Sequence, residues 1–260
     1  INAKHEQKQA KLLFWLGDKE AYLNKDVVVS SSGQARNELK FLEAFVEQSA
    51  AKRKGTFAEV AALGKELAAE KYENQDKVEA REAKLASTFS ALDELAVKKR
   101  PVLQDHLDRE LFKEKVLLWA RVHVDQKAKI DRWVEGRKVY LSKKEDVGSV
   151  TAAREALGDL DSYDAEKIDV AASSVAPLKK LGGDIRGAEY KSQLSSWKHP
   201  DPAAVQGLED AVDASWEELS ALGALKREVL DDDLARELYA AETRLMAGQH
   251  EDAFKLVDAW

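Results

Sequence analysis

The sequence predicts an all-α fold: two tandem three-helix coiled-coil bundles joined by a continuous linker helix. Three observations carry this. The 260 residues include only four prolines and thirteen glycines, while 34% of them are charged, a breaker-poor and charge-rich composition that favours long helices. The chain repeats itself internally. Within each repeat the apolar residues recur at steps of three and four, the period of a helical seam.

The repeat is read from the tryptophans. Phe14-Trp15-Leu16 with Ala21-Tyr22-Leu23 returns as Arg132-Trp133-Val134 with Val139-Tyr140-Leu141, an offset of 118. The same offset carries His5 to His123, Ser31 to Ser149, Leu42 to Leu160 and Gly64 to Gly182. Farther along the offset becomes 127, an insertion of nine residues, and pairs Val78 with Val205, Phe89 with Trp216 and Leu92 with Leu219. It then links His123 to His250 and Trp133 to Trp260, so a His-x₉-Trp unit opens three times. The expected organisation is a first repeat at 1–117, a second at 118–246, and at 247–260 the start of a third helical element or a neck to another domain. A chain that starts at Ile1 and stops at Trp260 within an apolar pattern reads as a piece of a larger protein.

The first helix of each repeat bears Trp15 or Trp133. A capping box at Ser31 and Gln34 starts the second, whose seam runs Leu39, Leu42, Val46, Ser49, Arg53, Thr56, Val60, Leu63, Leu67 with apolar ends and a polar middle. Its copy runs from Leu157 to Ile185 through Asp164, Lys167 and Ser174. The third helix carries Val78, Leu85, Phe89, Leu92 and Leu95, matched by Val205, Leu208, Val212, Trp216, Leu219 and Leu222. Lys198-His199-Pro200-Asp201-Pro202 is a turn, because two prolines remove donors and fix φ. The corresponding turn near Glu73–Asp76 is shorter. Between Val102 and Leu141 stand one glycine and no proline, so one helix is expected to run through both repeats. Two such bundles joined by a shared helix would make a stiff rod of roughly 100 Å.

These residues resemble the spectrin-repeat family over essentially the whole chain. Trp15 and Trp133 match the family's first-helix tryptophan, His199-Pro200-Asp201 its His-Pro-Asp turn, and Ser215-Trp216-Glu217-Glu218-Leu219 its Trp-Glu-Glu-Leu stretch. The first repeat departs by carrying Phe89 for the second tryptophan and lacking the His-Pro turn. Two repeats and the stretch Lys11-Leu12-Leu13-Phe14-Trp15-Leu16 most resemble the rod domain of a short, two-repeat α-actinin; spectrin, dystrophin-like and plakin rods are the alternatives. The resemblance implies a structural, non-enzymatic module of the cytoplasmic cytoskeleton. It implies an antiparallel homodimer that spaces actin-binding ends, reaching F-actin through domains outside this sequence. Calcium would act only in a C-terminal domain, and no cofactor belongs to this stretch. The alternative is a monomeric spacer that docks a partner on a cytoskeletal or membrane-skeleton scaffold.

No catalytic constellation stands out among the remaining residues. Without cysteine there is no disulfide framework or thiolate nucleophile, which suits a reducing compartment. A net charge of −7 disfavours nucleic acid and a basic membrane-binding face. No stretch approaches the ~20 apolar residues of a membrane helix, and no signal peptide is evident. His5, His123 and His250 recur at one repeat position and read as packing or surface residues. Asp231-Asp232-Asp233 and Asp159, Asp161 and Asp164 lack the glycine and glutamate of a calcium loop and read as solvated faces. Gly182-Gly183-Asp184-Ile185-Arg186-Gly187 follows a helix rather than a strand and lacks a phosphate loop's ending, so it reads as a fraying helix end. Lys52-Arg53-Lys54 and Lys98-Lys99-Arg100 read as solvated basic runs, and Pro101 and Pro177 as kinks inside helices. The expected structural core is Trp15, Trp133, Phe89 and Trp216; the sequence points to no dimer-interface residues.

Charge is uneven. Residues 1–120 hold 21 Lys and Arg against 20 Asp and Glu, and residues 121–260 hold 20 against 28, net charges of +1 and −8. Side-by-side parallel pairing sets −8 against −8, whereas antiparallel pairing sets +1 against −8 twice and avoids that repulsion.

Overall fold

The computed structural model describes residues 1–258, except the side chains of Leu256 and Asp258; the Trp260 expected to close a third His-x₉-Trp unit lies outside the described residues. The chain packs as two compact units. The first comprises 1–115 with 189–198, the second 116–188 with 199–260.

In the first unit, α1 (Asn2–Asn24), α2 (Ser32–Lys52) continued by α3 (Ala58–Ala69), and the first part of α4 (Gln75–Ser142) form a three-helix bundle. In the second, the later part of α4, α5 (Val150–Val170) continued by α6 (Ala176–Gly187), and α7 (Pro202–Asp258) do the same. The uninterrupted linker is therefore real: α4 is a single 68-residue helix with Pro101 inside it. Its residues up to Lys115 belong to the first unit and those from Val116 to the second. Residues 247–258, within the stretch expected to begin a third helical element or a neck to another domain, continue α7 to Asp258.

Serine caps start the middle helices in both units. Ser31 Oγ accepts from Gln34 N at 3.2 Å, while Gln34 Oε1 accepts from Ser30 N at 2.9 Å, one residue before the N-cap that a capping box would engage. Ser149 Oγ accepts from Ala152 N at 3.1 Å. Neither middle helix is regular throughout. A π-helical turn at Arg53–Phe57 separates α2 from α3, and another at Ala171–Val175, offset by 118, separates α5 from α6. A π turn accommodates one extra residue. Consequently the inward positions are Leu42, Phe45, Ser49, Arg53, Phe57, Val60, Gly64 and Leu67, with three successive steps of four across the polar middle. The expected seam alternated evenly and placed Val46 and Asp164 inward; instead Phe45 and Tyr163 are buried and Val46 and Asp164 exposed. Pro177 lies, as expected, inside a continuous helical run, two residues past the π turn.

The nine-residue insertion is a β-hairpin. Between α6 and α7, β1 (Glu189–Lys191) pairs antiparallel with β2 (Ser196–Lys198), aligning Tyr190 with Trp197. In the first repeat α3 reaches α4 through Glu70–Asn74 alone. The expected turn at 198–202 is present and leads into α7, with Asp201 Oδ1 accepting from Ala204 N at 2.8 Å.

Candidate functional site

In a helical bundle, polar side chains buried between helices fix the register in which the helices pack. Both bundles place such residues at the two ends of the first helix, and the copies obey the sequence offsets.

At one end stands a buried histidine. His5 lies with its Nε2 3.2 Å from Glu82 Oε1, and His123 with its Nε2 3.4 Å from Glu209 Oε1. Both rings are 0–1% exposed. Gly64 and Gly182 open the space for the carboxylates. A Cβ on Gly64 would come 1.9 Å from Glu82 Oε1, and one on Gly182 1.6 Å from Glu209 Oε1 and 2.9 Å from His123 Nε2. Gly182 is thus a close-approach residue inside a helix that continues to Gly187, not a fraying end. The copies differ in depth. Glu209 is 5% exposed and also accepts from Arg186 Nη1 at 2.6 Å, whereas Glu82 is 27% exposed. Burial pushes the His123 imidazole below its ordinary value, with the Glu209 carboxylate opposing that shift.

At the other end stands a buried lysine. Lys99 Nζ donates to the carbonyls of Tyr22, Leu23 and Lys25 at 3.2, 3.1 and 2.6 Å. Lys226 Nζ donates to the carbonyls of Tyr140 and Lys143 at 3.0 and 2.9 Å and to Glu145 Oε1 at 2.9 Å. Each ammonium also faces a tyrosine ring, Tyr22 at 5.2 Å and Tyr140 at 4.4 Å. A cation satisfying the last carbonyls of a helix offsets the negative end of its dipole. Burial lowers the Lys99 pKa, the Glu38 and Asp26 charges resisting. The hydrogen bond from Lys226 holds the Glu145 carboxyl below the usual carboxylate range. The run Lys98-Lys99-Arg100 is therefore not wholly solvated: its middle residue is a buried helix cap.

Between these ends lie the aromatic residues named from sequence. Phe89 is fully buried, tilted against Phe57 at 5.7 Å, with the Arg53 guanidinium over its ring at 4.8 Å and paired with Asp93. The three tryptophans are half-buried and flank cores whose centres are leucines such as Leu16, Leu85, Leu160 and Leu219. Trp15 stacks on Phe45 at 6.2 Å. Trp133 stacks between Trp216 at 5.3 Å and Tyr163 at 6.5 Å, and its indole donates to Glu166 Oε1 at 2.8 Å. Burial raises the Tyr163 pKa to about 12.

Three of the acidic residues singled out from sequence act as ion-pair partners. Asp161 and Asp164 hold Arg227 at 2.6 and 2.9 Å. Asp233, expected to be solvated, is buried and paired with Arg236 at 2.7 Å. His250 lies exposed on α7. Among the described residues no group of three or more His, Asp or Glu is placed to hold a metal ion, and no helix is long and apolar enough to cross a membrane.

No curated protein matches the chain. The family model described as the spectrin repeat matches residues 4–105, which cover the bundle of the first unit. The match covers less than half of the chain and makes its first bundle similar to a spectrin repeat.

Proposed function

We propose that the chain is the rod and dimerisation module of an α-actinin-like actin cross-linker, two spectrin-type repeats pairing as an antiparallel homodimer. The observation that supports the repeat assignment for both bundles is the shared framework: His5/Gly64/Glu82 and Tyr22/Lys99 recur as His123/Gly182/Glu209 and Tyr140/Lys226. Because 4–105 matches the spectrin repeat, the second bundle reads as another. Pairing direction rests on charge. Antiparallel alignment sets the near-neutral half against the acidic half, and such complementarity selects register and partner more than it adds affinity. A dimer of this kind carries whatever precedes Ile1 at opposite ends, the arrangement a filament cross-linker needs. F-actin would be reached through domains outside this sequence.

Sedimentation equilibrium tests it. A mass twice 28.9 kDa at micromolar concentration in low salt is expected, weakening as salt screens the charges. A monomer under those conditions overturns the dimer and leaves the monomeric partner-docking spacer as the better reading.

A further inference from the structure

Beyond its bundle, α4 carries a stretch that two outside groups cover. Leu103 is the last fully buried apolar residue of α4 in the first core. Between it and Lys115 the helix buries two carboxylates, Asp105 and Glu110. Asp105 Oδ1 accepts from the Tyr190 hydroxyl at 2.8 Å and Asp105 Oδ2 from Ser195 Oγ at 2.5 Å. Phe112 packs its ring against Tyr190 at 5.9 Å and Trp197 at 6.1 Å, the cross-strand pair of the hairpin. Glu114 accepts from the N–H and hydroxyl of Ser32 at 3.0 and 2.8 Å. The hairpin itself is stiffened at its turn, where Ser192 Oγ accepts from Leu194 N and Ser195 N.

A related stretch stands elsewhere without a cover. At offset 127, Asp105 and Arg109-Glu110-Leu111-Phe112 return on α7 as Asp232 and Arg236-Glu237-Leu238-Tyr239. There Asp232 is exposed, Tyr239 is 74% exposed, and no hairpin lies against it among the described residues. A related helical stretch, identical to 104–116 at five of thirteen positions, thus occurs unstrapped in the same molecule.

We propose that the hairpin Glu189–Lys198 is a strap that keeps α4 helical through residues 104–116, with Asp105 as its anchor and Phe112 as its apolar seat. A lone helical stretch is marginal in water, because its helicity depends on packing. Between Leu103, where the first core ends, and Val116, the next buried apolar residue of α4, the helix buries no apolar side chain of its own. The strap supplies the packing there. It explains why the nine inserted residues form an ordered hairpin rather than a longer loop. The inference does not depend on dimerisation.

Amide hydrogen exchange on the whole chain tests it. In the intact protein, amides 104–116 are expected to exchange at least tenfold more slowly than the equivalent amides 231–243 of α7. The first repeat supplies a natural strapless variant: residues 188–201 replaced by the shorter connection Glu70-Lys71-Tyr72-Glu73-Asn74. Exchange at 104–116 is expected to rise at least tenfold in it, with α1 and α5 unchanged. Should that variant not fold, the double substitution Tyr190→Phe with Trp197→Ala reads the same amides, and a several-fold rise is expected. Unchanged protection of 104–116 in a folded variant of either kind overturns the strap, as would equal protection of 104–116 and 231–243 in the intact protein.

Discussion

The two bundles have the same clamps and different middles. Each holds its first helix by a histidine–glutamate contact beside a glycine and by a lysine on the last carbonyls. Between those ends, the first bundle sets Trp15 on Phe45 and Phe57 on Phe89, while the second stacks Trp133 with Trp216 and Tyr163 and ties the indole to Glu166. Registers are fixed where polar groups must find partners at defined distances. Apolar middles accept any residues of suitable volume, since burial is non-directional. The bundles differ also in how deeply the glutamate sits, which makes their glycines unequal.

That inequality gives the largest expected effect. In Gly182→Ala the new methyl meets Glu209, which Arg186 holds in place; expelling a buried, paired carboxylate should cost about 3 kcal/mol. In Gly64→Ala the more exposed Glu82 can swing outward, and alanine's better helix propensity, about 1 kcal/mol, offsets much of the loss. Urea midpoints at constant m-value measure both. Equal losses would mean that the depth of the carboxylate is irrelevant.

Next come the lysines. Lys99→Met and Lys226→Met keep the apolar stem and strand the helix carbonyls, for about 2 kcal/mol each. Lys226→Met should be the more harmful, because it also leaves Glu145 without its closest cation. The reverse order in thermal unfolding would argue against the Glu145 contact.

A smaller effect concerns pH. Burial holds the His123 pKa below 6.5 in the folded state, so the unfolded chain binds the proton first. The second bundle should therefore lose stability as pH falls below about 6.5, until folded His123 itself protonates. His123→Gln should flatten that part of the profile, and superimposable profiles for the two proteins would exclude His123 as the source. The smallest effect is that of the caps. Ser31→Ala and Ser149→Ala should each cost about 1 kcal/mol, and equally, because both serines accept one backbone N–H.

Much of this fold could be read before any coordinates. The offsets of 118 and 127 locate every equivalent residue, and the absence of breakers from Val102 to Leu141 marks the shared helix. What could not be read has physical causes. The π turns fall where both middle helices are polar, so no apolar period records the extra residue at Arg53 or Ala171. Lys99 looks solvated between two other cations, and only the spatial neighbourhood of the end of α1 shows it buried. The hairpin escaped because its strands have three residues each, too short for an alternating pattern. Its offset-breaking length was the available signal. Among site residues, the clamp has a sequence signal in the recurrence of His5, Gly64 and Glu82 as His123, Gly182 and Glu209 at the two repeat offsets.

Charge is the other difference between the halves, and it bears on the proposed pairing. The chain has no cysteine, so single introduced thiols report on neighbours without background. Ala3 and Ala247 are exposed. If the chains pair antiparallel, mixing Ala3→Cys with Ala247→Cys protein under mild oxidation should give the mixed disulfide dimer in large excess over either homodimer. Ala3→Cys homodimers in excess, or no cross-linked species above the level of random collision, would contradict the antiparallel pair.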